Sequence, residues 1–312
     1  MQRNQSIITE FILLGFGELQ QQQIFLFLVF FVIYILTMAA NILTTLLIVT
    51  ARYLHTPMYF FLGNLSCLEI LYSSTLLPKM LANLLTGDKS ISLKGCMTQL
   101  YFFAFLGSTE CYLLSVMSYD RFLAICRPLH YRTRMKNGLC IQLAVGSWIN
   151  GIVFTSIYLS LILQLSYCGP NEIDHFFCES LPLISLSCSD TRLVRYASII
   201  LGFGFTLPPF ALNLLFYMYI IAAIKRIPSN TGRQKAFSTC SSHLIVVSVF
   251  YGGLLIACFI PKTEETKTPN KILSLLYTVL PPLFNPFVYS LRNKDVKEGL
   301  KKLLGRFFLK KE

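Results

Sequence analysis

Seven stretches of this chain are long and apolar enough to cross a lipid bilayer, and that repetition limits the fold more than any other feature. An α-helix rises about 1.5 Å per residue, so roughly 20 mostly apolar residues reach across the hydrocarbon core. The stretches are Ile24–Thr50, Pro57–Leu85, Leu93–Cys126, Leu139–Leu163, Tyr196–Ile224, Phe237–Ile260 and Ile272–Leu291. A soluble protein would need polar residues to cover all of them. Charged residues make up only 13% of the chain against 54% hydrophobic, so that cover is missing. The expected fold is an all-α membrane protein. It has an extracellular N-terminal tail over 1–23, a seven-transmembrane helix bundle over 24–291, and a short amphipathic C-terminal helix and tail over 292–312.

Lys and Arg set the orientation, because cytoplasmic connections keep them. Seven spans place the connections alternately on two sides. One side carries 17 bases and three acids, and the other carries nine of each. The basic side is therefore expected in the cytoplasm, with the N-terminus outside and the C-terminus inside, in the plasma membrane. The net charge of +12 is then a topology signal, and nucleic acid is not an expected partner. "FILLGF" at Phe11–Phe16 is too short and lacks the basic flank of a cleavable signal, so the first span is expected to direct insertion. Asn4 in "NQS" is a candidate glycosylation site on the outer tail, whereas Asn64 in "NLS" falls inside a span.

Four of the ten cysteines fall on the outer side, where disulfides are allowed: Cys96 heading the third span, and Cys168, Cys178 and Cys188 in the long loop before the fifth. Four cysteines permit three connectivities. Joining Cys96 to Cys178 would pin the loop over the bundle mouth, and Cys168 with Cys188 would then close a loop around the pin. Free thiols and a metal site built on His175 and Cys178 are the alternatives.

Ionisable residues inside a membrane are expensive and mark function. Glu69 and Glu110 lie in the second and third spans, with Asn41 in the first and Asn285 in the seventh. Gathered in one cavity, two carboxylates need a cation between them or a shared proton, so a bound sodium ion or a proton is expected. A water-filled packing defect is the bland alternative. Asp120 and Arg121 close the third span. The pair either anchors the helix by snorkelling or acts as a latch whose arginine is released to a cytoplasmic partner. Pro281, Pro282 and Pro286 loosen the seventh span beside Asn285 and Tyr289, making a hinge. Beyond Leu291, Val296, Leu300, Leu303, Leu304, Phe307 and Phe308 recur at helical spacing among Lys and Arg. That pattern predicts a helix lying on the inner leaflet, with membrane lipids as partners.

Seven spans, a pinned outer loop and an inner Asp-Arg resemble a rhodopsin-like (class A) G protein-coupled receptor. The strings "LHTPMYFFLGNLS", "SYDRFLAICRPLHY", "HFFCESLPLISLSCSDT", "KAFSTCSSHL", "FYG" and "NPFVYSLRN" are similar to the signature set of vertebrate odorant (olfactory) receptors. The resemblance implies a latch of Asp120 and Arg121, and an inner rearrangement involving Tyr217, Lys235, His243, Asn285, Pro286 and Tyr289. It implies that Tyr251 forms the pocket base. It also implies disulfides Cys96–Cys178 and Cys168–Cys188, and a sodium-type cavity at Asn41, Glu69, Glu110 and Asn285. The chain departs from the family pattern at Phe122 (usually Tyr), Ala40 (Gly), Phe216 (Ser), Glu69 (Asp) and Phe284 (Leu). The longer Glu69 favours a shared proton over a bound ion.

By helix phase, the pocket-facing residues are Phe103, Ala104, Gly107 and Ser108, then Gly202, Phe205 and Thr206, then Tyr251, Leu254, Leu255 and Cys258, and finally Leu275 and Thr278. No acid near Phe103 could pair with an amine. The expected ligand is a small, neutral, volatile, mainly hydrophobic odorant, with Lys262 either a solvated rim charge or, as the alternative, a group that attracts a carboxylate. The resemblance implies that ligand binding favours a state open to a heterotrimeric G protein of the stimulatory olfactory type, which raises cyclic AMP. A small-solute transporter is the rival reading, opposed by the lack of an internal repeat. No nucleophile–base pair or metal motif in the spans supports an enzyme.

Overall fold

The computed structural model describes residues 8–15, 17, 22–168, 170–259, 267–292, 296 and 299. Nine α-helices, one 3-10 helix (Arg52–Leu54) and three short strands are found among the described residues. The long helices are α1 (Gln23–Thr50), α2 (Pro57–Thr86), α3 (Leu93–Cys126), α5 (Asn137–Ile162), α7 (Arg192–Lys225), α8 (Asn230–Phe259) and α9 (Lys267–Arg292). Six of these are apolar over a bilayer's width as they stand, and α8 supplies the seventh crossing as two segments, Asn230–Ser238 and Cys240–Ile256, bent by 44°. Between them lie α4 (Pro128–Arg134) and α6 (Ser180–Ser185).

Local chemistry sets the helix ends. Pro57 and Pro128 stand at first helical positions, where the missing N–H costs nothing. Gly87, at φ +75°, closes α2 with its N–H on the Asn83 carbonyl, 3.0 Å away. Ser92 Oγ accepts from Gly95 N–H at 3.1 Å, capping α3, and Ser229 Oγ does the same for Gly232 at 3.0 Å, capping α8. This last cap explains why α8 starts seven residues before the predicted Phe237. "NTGRQKA" is too polar to read as membrane-spanning, yet nothing in it stops a helix that runs past the lipid.

The chain forms two compact units. The first comprises Met1–Ile35, Leu71–Thr109 and Trp148–Leu207. It holds a three-stranded sheet in the order β2 (Ser90–Ser92), β1 (Glu10–Leu13), β3 (Glu172–Ile173), with β1 antiparallel to β2 and parallel to β3. Phe11 and Leu13 point inward and are fully buried, while Glu10 is exposed, which is the two-residue period of a strand. The expected N-terminal tail is thus a structural strand over 10–13. Phe11, Leu13, Cys96, Ile162, Ile173, Cys178 and Leu183 form the core of this unit.

The second unit comprises Leu36–Ile70, Glu110–Ser147 and Pro208–Glu312. Its core gathers Leu54, Phe61, Leu65, Leu114, Met117, Leu123, Tyr217, Val246 and Tyr289. Val296 and Gly299 are helical. The rest of the predicted amphipathic tail lies outside the described residues, as do Asn4 and Lys262.

Candidate signalling site

The adjacent acid and base at the end of α3 are resolved in the second unit. Arg121 Nη2 lies 2.5 Å from Asp120 Oδ2, and Arg121 Nε donates to the same oxygen at 3.1 Å. Tyr131 OH donates to the other oxygen, Oδ1, at 2.8 Å. Asp120 is fully buried and the Arg121 side chain nearly so, at 12% exposure. A buried pair is tolerated when its remaining lone pairs are satisfied, and Tyr131 does this for Asp120. Tyr131 reaches the acid because Pro128 starts α4 directly after α3, placing the phenol one turn in. Burial pushes that phenol above its ordinary pKa, and the Asp120 charge adds to the shift. Sequence reasoning missed Tyr131, although it ends the quoted string "SYDRFLAICRPLHY".

Around the latch, Tyr217 OH and His243 Nδ1 approach to 2.5 Å, joining α7 to α8. Tyr289 is buried, its hydroxyl without a partner among the described residues. The Lys235 side chain lies outside the described residues.

The four intramembrane polar residues divide their bonds. Asn285 Nδ2 donates to Glu69 Oε1 at 2.5 Å. Glu69 and Glu110 come within hydrogen-bond reach of each other. Two carboxyl groups in that position need a proton or a cation. Glu69 Oε2 and Glu110 Oε1 are buried with no donor among the described residues, which fits either group. Asn41 serves the backbone, donating to the carbonyls of Thr37 at 2.9 Å and Pro282 at 3.0 Å.

In the first unit, Cys96 pairs with Cys178 and Cys168 with Cys188, at Cα separations of 5.4 and 5.9 Å. With Cys178 in a disulfide, the metal alternative at His175 and Cys178 falls. His175 instead faces Glu179, its Nε2 lying 3.3 Å from the carboxylate.

The residues assigned to the ligand by helix phase are placed as follows. Phe103 packs on Tyr72 and Phe177, with ring centroids at 5.6 and 4.9 Å, and Ala104, Gly107 and Ser108 beside it are half-buried. Phe205 packs on Phe154 with ring centroids at 4.2 Å and the rings tilted, and Gly202 and Thr206 are half-buried. In the second unit, Tyr251 is buried against Phe210, Leu254 is half-buried and Leu255 is exposed. Leu275 and Thr278 are buried, and the Thr278 hydroxyl bonds back to the Ser274 carbonyl at 2.8 Å. The Cys258 side chain lies outside the described residues.

Comparison with known proteins decides the family. The sequence model of the family described as "Olfactory receptor" matches residues 30–306. Olfactory receptor 1f45 of Rattus norvegicus is 46% identical over 309 residues, which is 99% of each chain. Olfactory receptor 10A7 of Homo sapiens is 46% identical over 308 residues, covering 99% of this chain and 98% of that one. The chain belongs to the olfactory receptor family. The fold of this receptor is that of squid rhodopsin, whose crystal structure superposes with a TM-score of 0.72 over 92% of this chain and 87% of that one, at 14% identity. The chain is therefore a seven-helix olfactory receptor of the plasma membrane and not an enzyme. Its partners are a small molecule and a G protein.

Two further features of the receptor escaped sequence reasoning. Strand β1 was hidden in a tail of four alternating residues. Ser118 and Asn213, two small polar residues inside spans, proved to be bonded to each other. Spans of this kind tolerate scattered Ser and Asn, so neither stood out.

Proposed function

We propose that the receptor detects a small, neutral, volatile, mainly hydrophobic odorant and activates a stimulatory olfactory-type G protein, raising cyclic AMP. The N-terminus faces outside and the C-terminus the cytoplasm, as the count of Lys and Arg requires. The observation that carries this reading is the buried pair of Arg121 and Asp120, completed by Tyr131. A charge pair held at the cytoplasmic end of a span is costly to keep and ready to be exchanged for a partner's groups. Ligand binding favours the arrangement in which Asp120 releases Arg121, and the ligand's differential affinity for that arrangement sets how far the population moves. The ligand residues remain those given by helix phase, with Tyr251 at the pocket base. Glu69 and Glu110 share a proton or a sodium ion, and Asn285 orients Glu69.

The test is cyclic AMP in cells that co-express the receptor and an olfactory-type G protein, across a chemically diverse odorant panel. A dose-dependent rise is expected. Arg121→Ala, matched for surface level, should abolish it. Full signalling by that variant would refute the latch.

A further inference from the structure

A chain of hydrogen bonds in the second unit runs through Asn213. Ser118 Oγ donates to Asn213 Oδ1. Asn213 Nδ2 donates to Tyr251 OH at 3.3 Å and to the Pro209 carbonyl at 2.8 Å. Tyr251 OH donates in turn to the Cys111 carbonyl at 3.3 Å. Every donor points the same way along the path, an arrangement in which each bond polarises the next. The Pro209 carbonyl fixes the amide, since a flipped Asn213 would set two acceptors against each other. Ser118, Asn213, Tyr251 and Cys111 are all buried, so water does not replace a broken link.

The chain fastens three helices. It grips α3 at Cys111 and again two turns later at Ser118, with Asn213 of α7 and Tyr251 of α8 bridging the two points. Ser118 stands three residues before Arg121, and Tyr251 is the proposed pocket base. All the links are closed while Arg121 remains on Asp120 and Tyr217 on His243. The path therefore belongs to the latched arrangement, and α8 cannot move away from α3 without parting it.

We propose that Asn213 is a positioning residue: with Ser118 and Tyr251 it forms a polar lock that holds α3, α7 and α8 in the latched arrangement and sets the threshold of activation. The proposal deepens the receptor reading and rests on it. Apolar replacement of Asn213 removes two interhelical bonds, and Ser118→Ala removes one.

The test uses the full-length receptor with Ser118→Ala, Asn213→Leu and the double substitution. Ligand-independent cyclic AMP per surface receptor is one readout. Hydrogen exchange of the α8 backbone over 240–250 in purified receptor is the other, and it needs no G protein. A buried neutral hydrogen bond contributes about 1 kcal/mol, so Ser118→Ala should raise the basal signal roughly fivefold and Asn213→Leu roughly tenfold or more. The double variant should match Asn213→Leu, because the bond to Ser118 is already gone. Exchange should rise in the same order. Wild-type exchange and wild-type basal signal at matched surface level would overturn the lock, whatever the variants do to expression. If Asn213→Leu does not reach the surface, Ser118→Ala decides alone. Graded exchange with no cyclic AMP response from any form would keep the lock and refute the stimulatory coupling. An intact odorant response with unchanged exchange would do the reverse.

Discussion

Asn41 Nδ2 donates to the Pro282 carbonyl of α9 at 3.0 Å, and that carbonyl is the one Pro286 leaves without a helical donor. In a helix the N–H of residue 286 would bond to the oxygen of residue 282, and proline has no N–H. A bare carbonyl in the membrane interior is expensive, so the asparagine of α1 takes the donor's place. Asn41→Ala should lower the stability of the purified receptor by about 1–3 kcal/mol. Placing Pro286→Ala in the same chain restores an N–H and should recover part of the loss. Thermal inactivation of the two single variants and the double would reveal this as a non-additive cycle. Strict additivity would show that the bond carries nothing.

Two departures from the family pattern meet in space. The rings of Phe122 and Phe216 lie 5.4 Å apart, with Tyr119 5.5 Å from Phe216 and Tyr219 5.8 Å from Phe122. Four aromatic rings thus join α3 to α7 beside the latch. An aromatic pair adds about 0.5–1.5 kcal/mol beyond the area it buries. Phe216→Ser should therefore reduce thermal stability, and adding Phe122→Ala should cost less than Phe122→Ala alone. Equal costs in both backgrounds would show the rings to be neighbours without coupling.

Two glycines of the first unit should behave oppositely. A Cβ on Gly151 would lie 2.9 Å from the Phe105 carbonyl oxygen and would overlap Thr109 Oγ1. Backbone cannot swing aside, so α5 would have to back away from α3. Gly202 has nothing within 4 Å of the same position. Gly151→Ala should cost about 1–3 kcal/mol and reduce the fraction of receptor at the cell surface, whereas Gly202→Ala should leave it unchanged. Surface antibody staining of the two variants makes the comparison.

Strand β1 should be necessary to the first unit. Phe11 is fully buried with its ring 5.5 Å from Tyr167. The backbone around it bonds on both sides: Leu13 N–H to the Lys89 carbonyl at 2.9 Å, and Ile12 N–H to the Asn171 carbonyl at 2.8 Å. Phe11→Ala should remove about 3 kcal/mol or more of packing. Hydrogen exchange should then quicken at 90–92 and 171–173 together, because β1 is the strand that both neighbours pair with. Faster exchange at β1 alone would mean that the outer strands hold without it.

The sequence by itself determined what depends on composition and short-range order. Seven apolar runs predicted seven spans, and four of their starts fall within three residues of the helices found. Misplaced starts, as at α8, come from polar turns that continue a helix beyond the lipid. Hydropathy senses the solvent around a helix and not its hydrogen bonds. The family strings were equally legible, since they are contiguous. The tertiary structure decided which distant groups meet. Asn41 looked like a fourth member of the acidic cavity, yet its amide goes to a carbonyl left open 241 residues away. Tyr131, Ser118 and Asn213 have their roles only because α3 lies beside α4, α7 and α8. Buried polar groups must find partners, and a linear chain states that need without naming the partner.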